Sequence, residues 1–302
     1  MVRWCLPLGR LRMCVRKGHE EVAHTMAWSQ NGKAASARVI TFANQKGGVA
    51  KSTTAEAFAA SLTTRGYGVL MVDMDAQPGN LSMHVDAEKG LPGTFELLEH
   101  RRPARERVLR CIQPTRSFGD VVCANEGLDD ADRILSSRVG RELMLSRALE
   151  PILDEYDFVV VDTPPALQVR TLNGIAAADD VVVPCMADAS SIAGMQAVLD
   201  CVAEVGELVR GAEPCIAGIV VTRYDSRNSL EPELLDQIAE IAEQYDAPLL
   251  GCVRNTVNAR KAQSNGMALV EFAPNSTAAL DYEDAVTAYL ESIGIEEDDS
   301  EE

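Results

Sequence analysis

Residues 43–54 read ANQKGGVAKSTT and separate a strand-like apolar run, VITF, from a helical pattern that ends near Gly66. A turn from a strand into a helix directs backbone N–H groups and the positive end of the helix toward one point, which suits an anion. The glycine pair and the Lys-Ser sequence therefore indicate a phosphate-binding loop. The generic pattern G-x-x-x-x-G-K-[ST] is not met, because Gln45 and Ala50 stand at its fixed glycines.

The side chains around this turn fit the binding of a nucleotide. Gly47 and Gly48 permit unusual backbone dihedrals and a close approach of the backbone to phosphate. Lys51 is placed to reach the β- and γ-phosphates, and the hydroxyl of Ser52 is placed to ligate Mg²⁺. Ala50 is expected to adopt ordinary helical dihedrals at the helix entrance, where its methyl group is tolerated. The competing interpretation is a chance Gly-Gly turn before a helix.

Acidic side chains end two further strand-like runs. In VLMVDMDAQPGN, Asp73 and Asp75 lie two residues apart and therefore on the same face of a strand. In EYDFVVVDTPPAL, Asp162 ends an apolar strand and precedes the rigid pair Pro164 and Pro165. Beside a phosphate loop, such carboxylates can organise Mg²⁺ and water. Each pattern taken singly also fits a solvated turn at a strand end, so the prediction depends on their combination with the loop.

Strand-like apolar runs and the helical patterns between them predict the fold class. The runs are 38–44, 68–73, 158–162, 180–184 and 215–222, and helical patterns cover 51–65 and 190–210. Runs that are apolar throughout, rather than alternating, suit strands that are covered on both faces. The sequence therefore predicts an α/β protein with a doubly wound, mostly parallel sheet and helices on both faces.

Composition divides the chain into a central domain and two charged ends. Residues 1–37 are rich in cations and lack a hydrophobic period, so we expect a basic, disordered arm or a start codon assigned too early. Residues 38–292 carry the strand and helix patterns of one domain. Residues 293–302 are expected to form a solvated acidic tail.

The charge balance limits the class of partner. The net charge is −18, with Asp+Glu 46 against Lys+Arg 28, and only six of these cations are lysines. This balance fits either a GC-rich genome or a cytoplasm with a high salt concentration. It gives no support for broad attraction to DNA or to an anionic membrane, so contact with a polyanion requires a local patch. No apolar run approaches the roughly 20 residues that span a bilayer, and no membrane partner is expected.

The cysteines indicate the compartment. Their number is eight, and their spacing suits neither a zinc site nor an iron–sulfur cluster. Several of them lie in apolar strand-like runs, where a free cysteine acts as a small hydrophobic residue. This usage favours a reduced, cytoplasmic compartment.

The loop resembles that of the ParA/MinD family of deviant Walker A ATPases, K-G-G-x-G-K-[ST]. KGGVAKST, residues 46–53, matches every fixed position except Ala50. In that family the first lysine, here Lys46, reaches across an ATP-bound homodimer to the phosphates of the other subunit. The resemblance implies ATP and Mg²⁺ as cofactors, and Lys46, Lys51 and Asp75 as catalytic residues. It assigns nucleotide binding to the loop residues Lys46, Gly47, Gly48, Val49, Ala50, Lys51, Ser52 and Thr53.

The aspartate segments resemble the switch regions of the same family. Asp75 corresponds to the residue that orients the attacking water, and Asp73 to a metal-site residue near the water shell of the ion. Asp162 occupies the Walker B position and is expected to hold Mg²⁺ through water, together with Ser52. The family order Pro-Gln-Gly-Asn is replaced by Ala-Gln-Pro-Gly-Asn, one residue longer, which shifts Asn80.

Two C-terminal segments extend the resemblance over residues 38–292 and toward the Soj/ParA branch. They are GIVVTRYDSRNSL at 218–230 and VRNTVNARKAQSNGMALVEFAPNS at 253–276. In the family these loops line the adenine pocket, which makes Thr222 and Arg254 candidate adenine contacts. The branch binds nonspecific DNA as ATP dimers and is stimulated by a ParB-type partner. Candidate contacts with DNA phosphates are Arg223, Arg227, Arg254, Arg260 and Lys261.

These patterns together predict an ATP-dependent dimeric switch that hydrolyses ATP in chromosome or plasmid partition or in cargo positioning. A MinD-like regulator that cycles on membranes would need a basic amphipathic C-terminal helix, whereas YLESIGIEEDDSEE is acidic. A metabolic synthetase of the same superfamily would have no use for Lys46, and an iron–sulfur carrier would need paired cysteines. A nonenzymatic module that binds a nucleotide or another anion is the remaining alternative.

Overall fold

A computed structural model of the chain describes residues 36–77, 81–85, 87–225 and 227–295. Three features predicted from the sequence lie wholly or mostly outside these residues. They are the basic arm at 1–37, the shifted segment 78–80 with Asn80, and the acidic tail at 293–302. These features stay predictions.

Every strand-like run of the sequence forms a strand. The strands within the described residues are β1 (Arg38–Phe42), β2 (Val69–Asp73), β3 (Ile112–Pro114), β4 (Asp120–Val122), β5 (Phe158–Asp162), β6 (Asp180–Met186), β7 (Cys215–Tyr224) and β8 (Leu249–Arg254).

Helices separate the parallel strands, and both predicted helices occur at the expected places. The α-helices within the described residues are α1 (Lys51–Thr64), α2 (Thr94–Glu99), α3 (Arg105–Leu109), α4 (Ala131–Ser136), α5 (Met144–Leu149), α6 (Val169–Ala177), α7 (Ala189–Leu208), α8 (Glu231–Gln244), α9 (Asn258–Ser264), α10 (Leu269–Phe272) and α11 (Thr277–Ser292). Short 3₁₀ helices cover Leu81–Met83, Glu126–Asp130, Arg141–Leu143 and Glu150–Ile152. None of the helices in this part of the chain is long and apolar enough to span a membrane.

The strands form a single sheet with the order β3-β4-β2-β5-β1-β6-β7-β8. All neighbouring strands run parallel except β3 and β4, which are antiparallel. The connection from β1 to β2 passes to one side of β1, whereas the connection from β5 to β6 passes to the other. A crevice therefore opens at the carboxyl ends of β1 and β5, where ligands bind in sheets of this kind.

Helices cover both faces of the sheet, which confirms the predicted fold class. On one face Phe42 of β1 and Tyr289 of α11 both contact Phe58 of α1, with ring centroids 5.0 and 5.8 Å apart. On the other face Val39 belongs to a core with α2 to α5, and Val181 to a core with α6 to α8. The even and odd residues of the central strands thus face different helical layers, which explains why these strands are apolar throughout.

Strands β3, β4 and β8 were not predicted from the sequence. Strands β3 and β4 have only three residues each, too few to show a hydrophobic pattern. Strand β8 lies at the edge of the sheet, and its residues Leu249, Gly251 and Cys252 are only partly buried. Local sequence patterns are weakest for short strands and edge strands, because a short strand has too few residues to show a pattern and an edge strand is less completely buried.

A buried ionic network closes the amino ends of the strands. The carboxylate of Asp180, at the start of β6, accepts hydrogen bonds from Nε and Nη2 of Arg38, the second at 2.8 Å. The hydroxyl of Tyr289 in α11 donates a third bond of 2.7 Å to the same carboxylate. Asp180 and Tyr289 are fully buried. This network ties β1, β6 and α11 together at the end of the sheet opposite the phosphate loop.

Candidate nucleotide-binding site

The loop at residues 43–50 follows β1 and is fixed to the neighbouring strand by Asn44. The buried amide nitrogen of Asn44 donates a 2.7 Å hydrogen bond to the carbonyl oxygen of Pro184 in β6. The amide oxygen of Asn44 accepts a 2.8 Å bond from the backbone N–H of Lys46. Asn44 therefore holds the turn that contains Lys46. It was not among the predicted site residues, and its only sequence signal is a short polar residue directly after a buried strand.

The glycine pair leaves the backbone of the turn open. Gly48 has a φ of +79°, in the left-handed region that favours glycine. Gly47 and Gly48 are exposed, and a Cβ built on Gly47 would make only an ordinary 3.7 Å contact with Pro165. The turn is therefore accessible at the amino end of α1, where backbone N–H groups can bind an anion.

The backbone conformation of Ala50 differs from the helical one that was predicted. Its φ and ψ are 60° and 34°, which place it in the left-handed region and not in the helical one. A side chain there costs roughly 1–2 kcal/mol, since Cβ approaches the following carbonyl oxygen. The carbonyl oxygen of Ala50 accepts bonds of 2.9 and 2.8 Å from the N–H and the hydroxyl of Thr54. The position suits glycine, and alanine there destabilises the folded state.

Lys51 lies beneath the turn, close to two carboxylates. Its ammonium is 3.4 Å from the carbonyl oxygen of Lys46, and the residue is only 7% exposed. Burial lowers the pKa of Lys51, and the negative charges of Asp162 and Asp75 oppose that change. An anion bound in the turn would add a further counter-charge to this buried ammonium.

The first turn of α1 also presents two partly exposed hydroxyl groups, those of Ser52 and Thr53. The side-chain amide of Gln263 in α9 donates a 3.3 Å hydrogen bond to the Thr53 hydroxyl. This bond links the phosphate loop with the C-terminal segment in which the adenine contacts were predicted. Gln263 was not predicted as a site residue, because its only link to the loop is a contact across the fold.

Asp162 ends β5 as a buried carboxylate without a partner. Neither of its oxygens accepts a hydrogen bond from the described residues, and the residue is fully buried. Burial and the nearby Asp73 raise the pKa of Asp162 well above its ordinary value. The nearby Ser52 hydroxyl and Lys51 ammonium lower that pKa in part. Neither group forms a hydrogen bond with Asp162.

Asp73 differs from Asp162, although the two are paired across β2 and β5. One Asp73 oxygen accepts a 2.9 Å bond from the N–H of Asp75, and the other accepts bonds of 2.8 and 2.5 Å from the N–H and hydroxyl of Ser82. Burial outweighs these bonds and raises the pKa of Asp73 to about 6. Asp73 thus holds Asp75 and Ser82, and its role near a metal stays a prediction.

Asp75 lies at the rim of the site. Its carboxylate is partly exposed and accepts a 3.0 Å bond from the N–H of Gln77. Its charge acts on Lys51 beneath the turn, so the two groups are close. A partly exposed carboxylate at this place can contact a water molecule above the loop, which is compatible with the predicted role.

The ammonium of Lys46 turns back onto its own subunit. It donates a hydrogen bond to the hydroxyl of Ser190 and lies 3.6 Å from Oδ1 of Asp188, at the start of α7. Burial tends to raise the pKa of Asp188, but hydrogen bonds from Ser190 and Ser191 and the charge of Lys46 lower it to about 2. Neither Asp188 nor Ser190 was predicted from the sequence, because only the fold brings α7 beside the loop.

Thr222 lies in β7, beneath the loop. Its hydroxyl donates a 3.0 Å hydrogen bond to the carbonyl oxygen of Val49 in the loop, and the residue is 1% exposed. The same hydroxyl lies 3.4 Å from the carbonyl oxygen of Cys185. Thr222 therefore supports the loop from β7. The hydroxyl oxygen can still accept a hydrogen bond, so the predicted contact of Thr222 with adenine stays a prediction.

Arg254 forms an ion pair with Asp281. Its guanidinium donates bonds of 2.8 and 2.5 Å to Asp281 of α11, and half of the Arg254 side chain is exposed. Of the other predicted DNA contacts, Arg227 is paired with Asp225 at 2.9 Å. The remaining predicted cations are exposed and form no ion pair with the described residues: Arg223, Arg260 and Lys261.

The donor set fits a hydrated divalent cation. Within the described residues no cluster of three or more His, Cys, Asp or Glu side chains is arranged for a metal ion. Mg²⁺ bound with a nucleotide needs fewer protein ligands, because water and phosphate complete its octahedron. The unpartnered Asp162 and the nearby Ser52 hydroxyl provide such a partial set. An ion there would supply the partner that the buried carboxylate lacks.

Comparisons with known proteins agree with this geometry. A family model described as an AAA domain matches residues 37–211. The chromosome partitioning protein ParA of Myxococcus xanthus is 33% identical over 231 residues, which cover 74% of this chain and 77% of that protein. The chromosome-partitioning ATPase Soj of Treponema pallidum is 32% identical over 246 residues, 82% of this chain and 94% of that protein.

Solved structures show the same fold. A cobyrinic acid a,c-diamide synthase from Mycobacterium smegmatis, with bound ADP and magnesium, is 31% identical and has a TM-score of 0.68. That likeness covers 84% of this chain and 94% of the synthase chain. The matched family model spans more than half of the chain, and both partition proteins are matched over most of their length. As residues 46–53 predicted, the chain belongs to the AAA-domain family of the ParA and Soj partition ATPases.

Proposed function

We propose that the chain is an ATP-dependent dimeric switch of the ParA type, which binds Mg²⁺ and ATP and hydrolyses ATP to ADP and phosphate. The observation that carries the proposal is the buried, unpartnered carboxylate of Asp162 beside a loop with two lysines, Lys46 and Lys51. The ADP and magnesium in the 31% identical structure support the same ligands here. We expect turnover to be weak without a partner protein.

The loop and α1 bind the triphosphate and the metal. The N–H groups around Gly47 and Gly48 and the ammonium of Lys51 bind the β- and γ-phosphates. Ser52 and Asp162 would hold Mg²⁺, Asp162 through water. The ion, when bound, neutralises charge on the transferred phosphoryl group. Val49, Ala50 and Thr53 complete the cradle through their backbone and side chains.

Two further carboxylates and Arg254 have roles around this cradle. Asp75 orients the attacking water in line with the γ-phosphate, since its carboxylate is accessible at the rim. Asp73 fixes the backbone of Asp75 through the 2.9 Å bond and would lie near the water shell of a bound ion. Arg254 remains the candidate adenine contact, with the guanidinium held by Asp281.

Lys46 completes the site of a second copy. In the ATP-bound homodimer its ammonium reaches the phosphates held by the other subunit and stabilises the charge that develops during hydrolysis. Hydrolysis is therefore coupled to dimerisation. Release of phosphate removes the contact and allows the subunits to separate, which is the behaviour of a switch.

The Lys46→Ala variant tests this function. It should keep ATP binding, lose about 10²- to 10³-fold in turnover because a transition-state contact is removed, and show less ATP-dependent dimer by size exclusion. Lys89→Ala is the matched control, since Lys89 is an exposed lysine outside the loop. Normal turnover by the Lys46→Ala variant would contradict the proposal.

The partners are proposed from the family and from the free cations. We propose that a ParB-type protein stimulates hydrolysis and that the dimer contacts DNA nonspecifically in the cytoplasm, on the nucleoid. Arg223, Arg260 and Lys261 are the best placed cations, because they are exposed and unpaired in the described part of the chain. ATP turnover with and without DNA over a salt series tests this, since phosphate contacts weaken steeply with salt.

A second candidate function follows from the 31% identity to a structure named as a cobyrinic acid a,c-diamide synthase. A synthetase would couple ATP cleavage to an acid substrate, so its turnover would depend on that acid and not on dimerisation. Lys46 would then have no catalytic use. The Lys46→Ala variant therefore separates the two functions, because a synthetase would tolerate the change.

A further inference from the structure

The peptide unit between Met74 and Asp75 is held from both sides. On one side the N–H of Asp75 donates the 2.9 Å hydrogen bond to Asp73. On the other side the carbonyl oxygen of Met74 accepts a 2.9 Å bond from Nη1 of Arg170 in α6. Because a peptide unit is planar, two bonds at opposite edges fix its orientation and with it the position of the Asp75 Cα atom.

The guanidinium of Arg170 is itself fixed. The residue is 8% exposed, and its Nε donates a 2.8 Å bond to Oδ2 of Asp132 in α4. Oδ1 of the same carboxylate accepts a 3.0 Å bond from the backbone N–H of Arg170. A guanidinium serves two acceptors in one rigid plane, whereas the ammonium of a lysine is a point charge on a flexible stem. Asp132 thus holds the Arg170 side chain in the position from which it reaches Met74.

The neighbouring backbone groups at this strand end have other partners. The carbonyl oxygen of Asp73 accepts a 2.7 Å bond from the hydroxyl of Thr94. The N–H of Met74 donates a 2.9 Å bond to the carbonyl oxygen of Asp162. Asp73 and Met74 are fully buried, and a buried carbonyl group without a partner is unfavourable. Arg170 supplies the partner that the Met74 carbonyl needs.

Arg170 also connects Asp75 with the loop that follows Asp162. This loop leads into α6, and the hydroxyl of Thr171 in the first turn of α6 donates a 2.5 Å bond to the carbonyl oxygen of Ala166. The start of α6 is therefore tied to the loop. A displacement of the loop would move α6, and the Arg170 guanidinium with it.

We propose that Arg170 is a positioning residue for hydrolysis, which holds Asp75 where its carboxylate can orient the attacking water. This inference rests on the proposed function, because it depends on that role of Asp75. The hydrogen bonds of the Arg170 side chain go to Met74 and Asp132, and neither residue belongs to the phosphate loop. Loss of Arg170 should therefore slow the chemical step and leave the binding of ATP unchanged.

The test is Arg170→Met, with the single-turnover rate of ATP hydrolysis and the Kd of ATP measured separately. Methionine keeps an apolar stem and removes every donor. The rate should fall by up to about 100-fold, since a displacement of about 1 Å near the reacting atoms has an effect of that size. The Kd of ATP should not change, because only an interaction that acts in the transition state is lost.

Two further variants support this test. Arg170→Lys should retain part of the rate, because an ammonium can still donate to one of the two acceptors. It keeps a positive charge beside Asp132, so it replaces Arg170→Met in both measurements if that variant does not fold. The matched control is Arg133→Met, which removes an arginine of α4 from an exposed ion pair with Asp130. It should change neither the rate nor the Kd.

A second background separates positioning from a general effect on structure. In Asp75→Ala the carboxylate is already absent, so Arg170→Met should cause little further loss of rate. Residues that act as a unit in catalysis are strongly non-additive. A purely structural role of Arg170 would instead lower the rate by the same factor in both backgrounds.

A third measurement works without a nucleotide. Hydrogen exchange followed by mass spectrometry reports the protection of the Asp75 N–H. Exchange at this segment should be faster in Arg170→Met than in the wild type. Strand β1 is the internal reference, because faster exchange there would report opening of the whole sheet.

The outcomes separate the two proposals. A rate that Arg170→Met leaves unchanged, or an equal loss in the wild-type and Asp75→Ala backgrounds, would overturn the positioning role. A wild-type chain that does not hydrolyse ATP would overturn the proposed function. In that case hydrogen exchange at Asp75 alone decides whether Arg170 holds this peptide unit.

Discussion

Both ends of the sheet contain a buried carboxylate, but the two carboxylates differ in their hydrogen-bond partners. At the amino ends, Asp180 accepts bonds from the guanidinium of Arg38 and the hydroxyl of Tyr289. At the carboxyl ends, Asp162 is equally buried and has no hydrogen-bond partner among the described residues. The first arrangement is closed and holds elements together, whereas the second is open and requires a ligand.

This difference distinguishes a buried carboxylate that stabilises the fold from one that is available to bind a ligand. Burial of an ionised group is unfavourable unless a partner replaces its water. At the amino ends the partners are residues of the chain itself, so folding alone offsets the unfavourable burial of the Asp180 charge. At the carboxyl ends the unfavourable state persists in the free subunit, and the binding of a cation and a nucleotide relieves it. Substitutions at the two ends should therefore change stability in opposite directions.

The largest effect on stability is expected for Asp180→Asn. The change leaves the guanidinium of Arg38 without its counter-charge, and the loss of one partner of a buried pair costs about 3 kcal/mol or more. Urea unfolding followed by circular dichroism measures this free energy. Asp130→Asn, at an exposed pair, should stay within about 0.5 kcal/mol of the wild type. A loss at Asp180 no larger than that control would show that the network contributes nothing.

Asp162→Asn should act in the opposite direction. In the nucleotide-free protein at pH 7, removal of the unpartnered charge should increase the free energy of unfolding by about 1–3 kcal/mol, since burial of an unpaired charge costs more than burial of the neutral amide that replaces it. The same variant should lose the stabilisation that Mg²⁺ and ATP give the wild type, because the amide cannot replace the carboxylate at the cation. Thermal unfolding with EDTA, and then with Mg²⁺ and ATP, measures both effects. Destabilisation of the nucleotide-free variant would contradict the comparison.

The pH dependence of that gain has a defined sign. The folded pKa values of Asp73 and Asp162 lie above the ordinary 3.8, that of Asp73 at about 6. Between pH 4 and 6 the unfolded chain loses these protons while the folded chain keeps them, so the stability of the wild type falls as the pH rises. The advantage of Asp162→Asn should therefore be absent near pH 3.5 and grow above it. An advantage that is equal at pH 3.5 and pH 7 would contradict this cause.

Most of the fold could be predicted from the sequence because its signals are local. Runs such as FVVVD are apolar throughout since both faces of the strand are covered, and that pattern is visible in the residues themselves. Strands β3, β4 and β8 could not be found in this way, because they are short or lie at an edge. Their pairing depends on neighbours that are distant in the sequence.

The site, too, could be predicted only where its signals are local in the sequence. The loop and the carboxylates were found because each follows a strand in a recognisable order. The roles of Thr222 beneath Val49 and of Asp188 beside Lys46 depend on contacts between β7, α7 and the loop. No spacing in the sequence encodes such contacts. The support that the Thr222 hydroxyl gives the loop was therefore not predicted, and its contact with adenine stays a prediction.

The smallest effect is expected for Ala50→Gly, which tests whether the carboxyl end also retains backbone strain. Glycine removes a left-handed penalty of roughly 1–2 kcal/mol but adds unfolded-state entropy that costs about 0.4–1 kcal/mol. The net result should be a gain of up to about 1.6 kcal/mol in the free energy of unfolding. The same substitution at Ala203, an exposed helical residue of α7, should instead lose about 1 kcal/mol. Equal losses at the two positions would show that Ala50 is not strained.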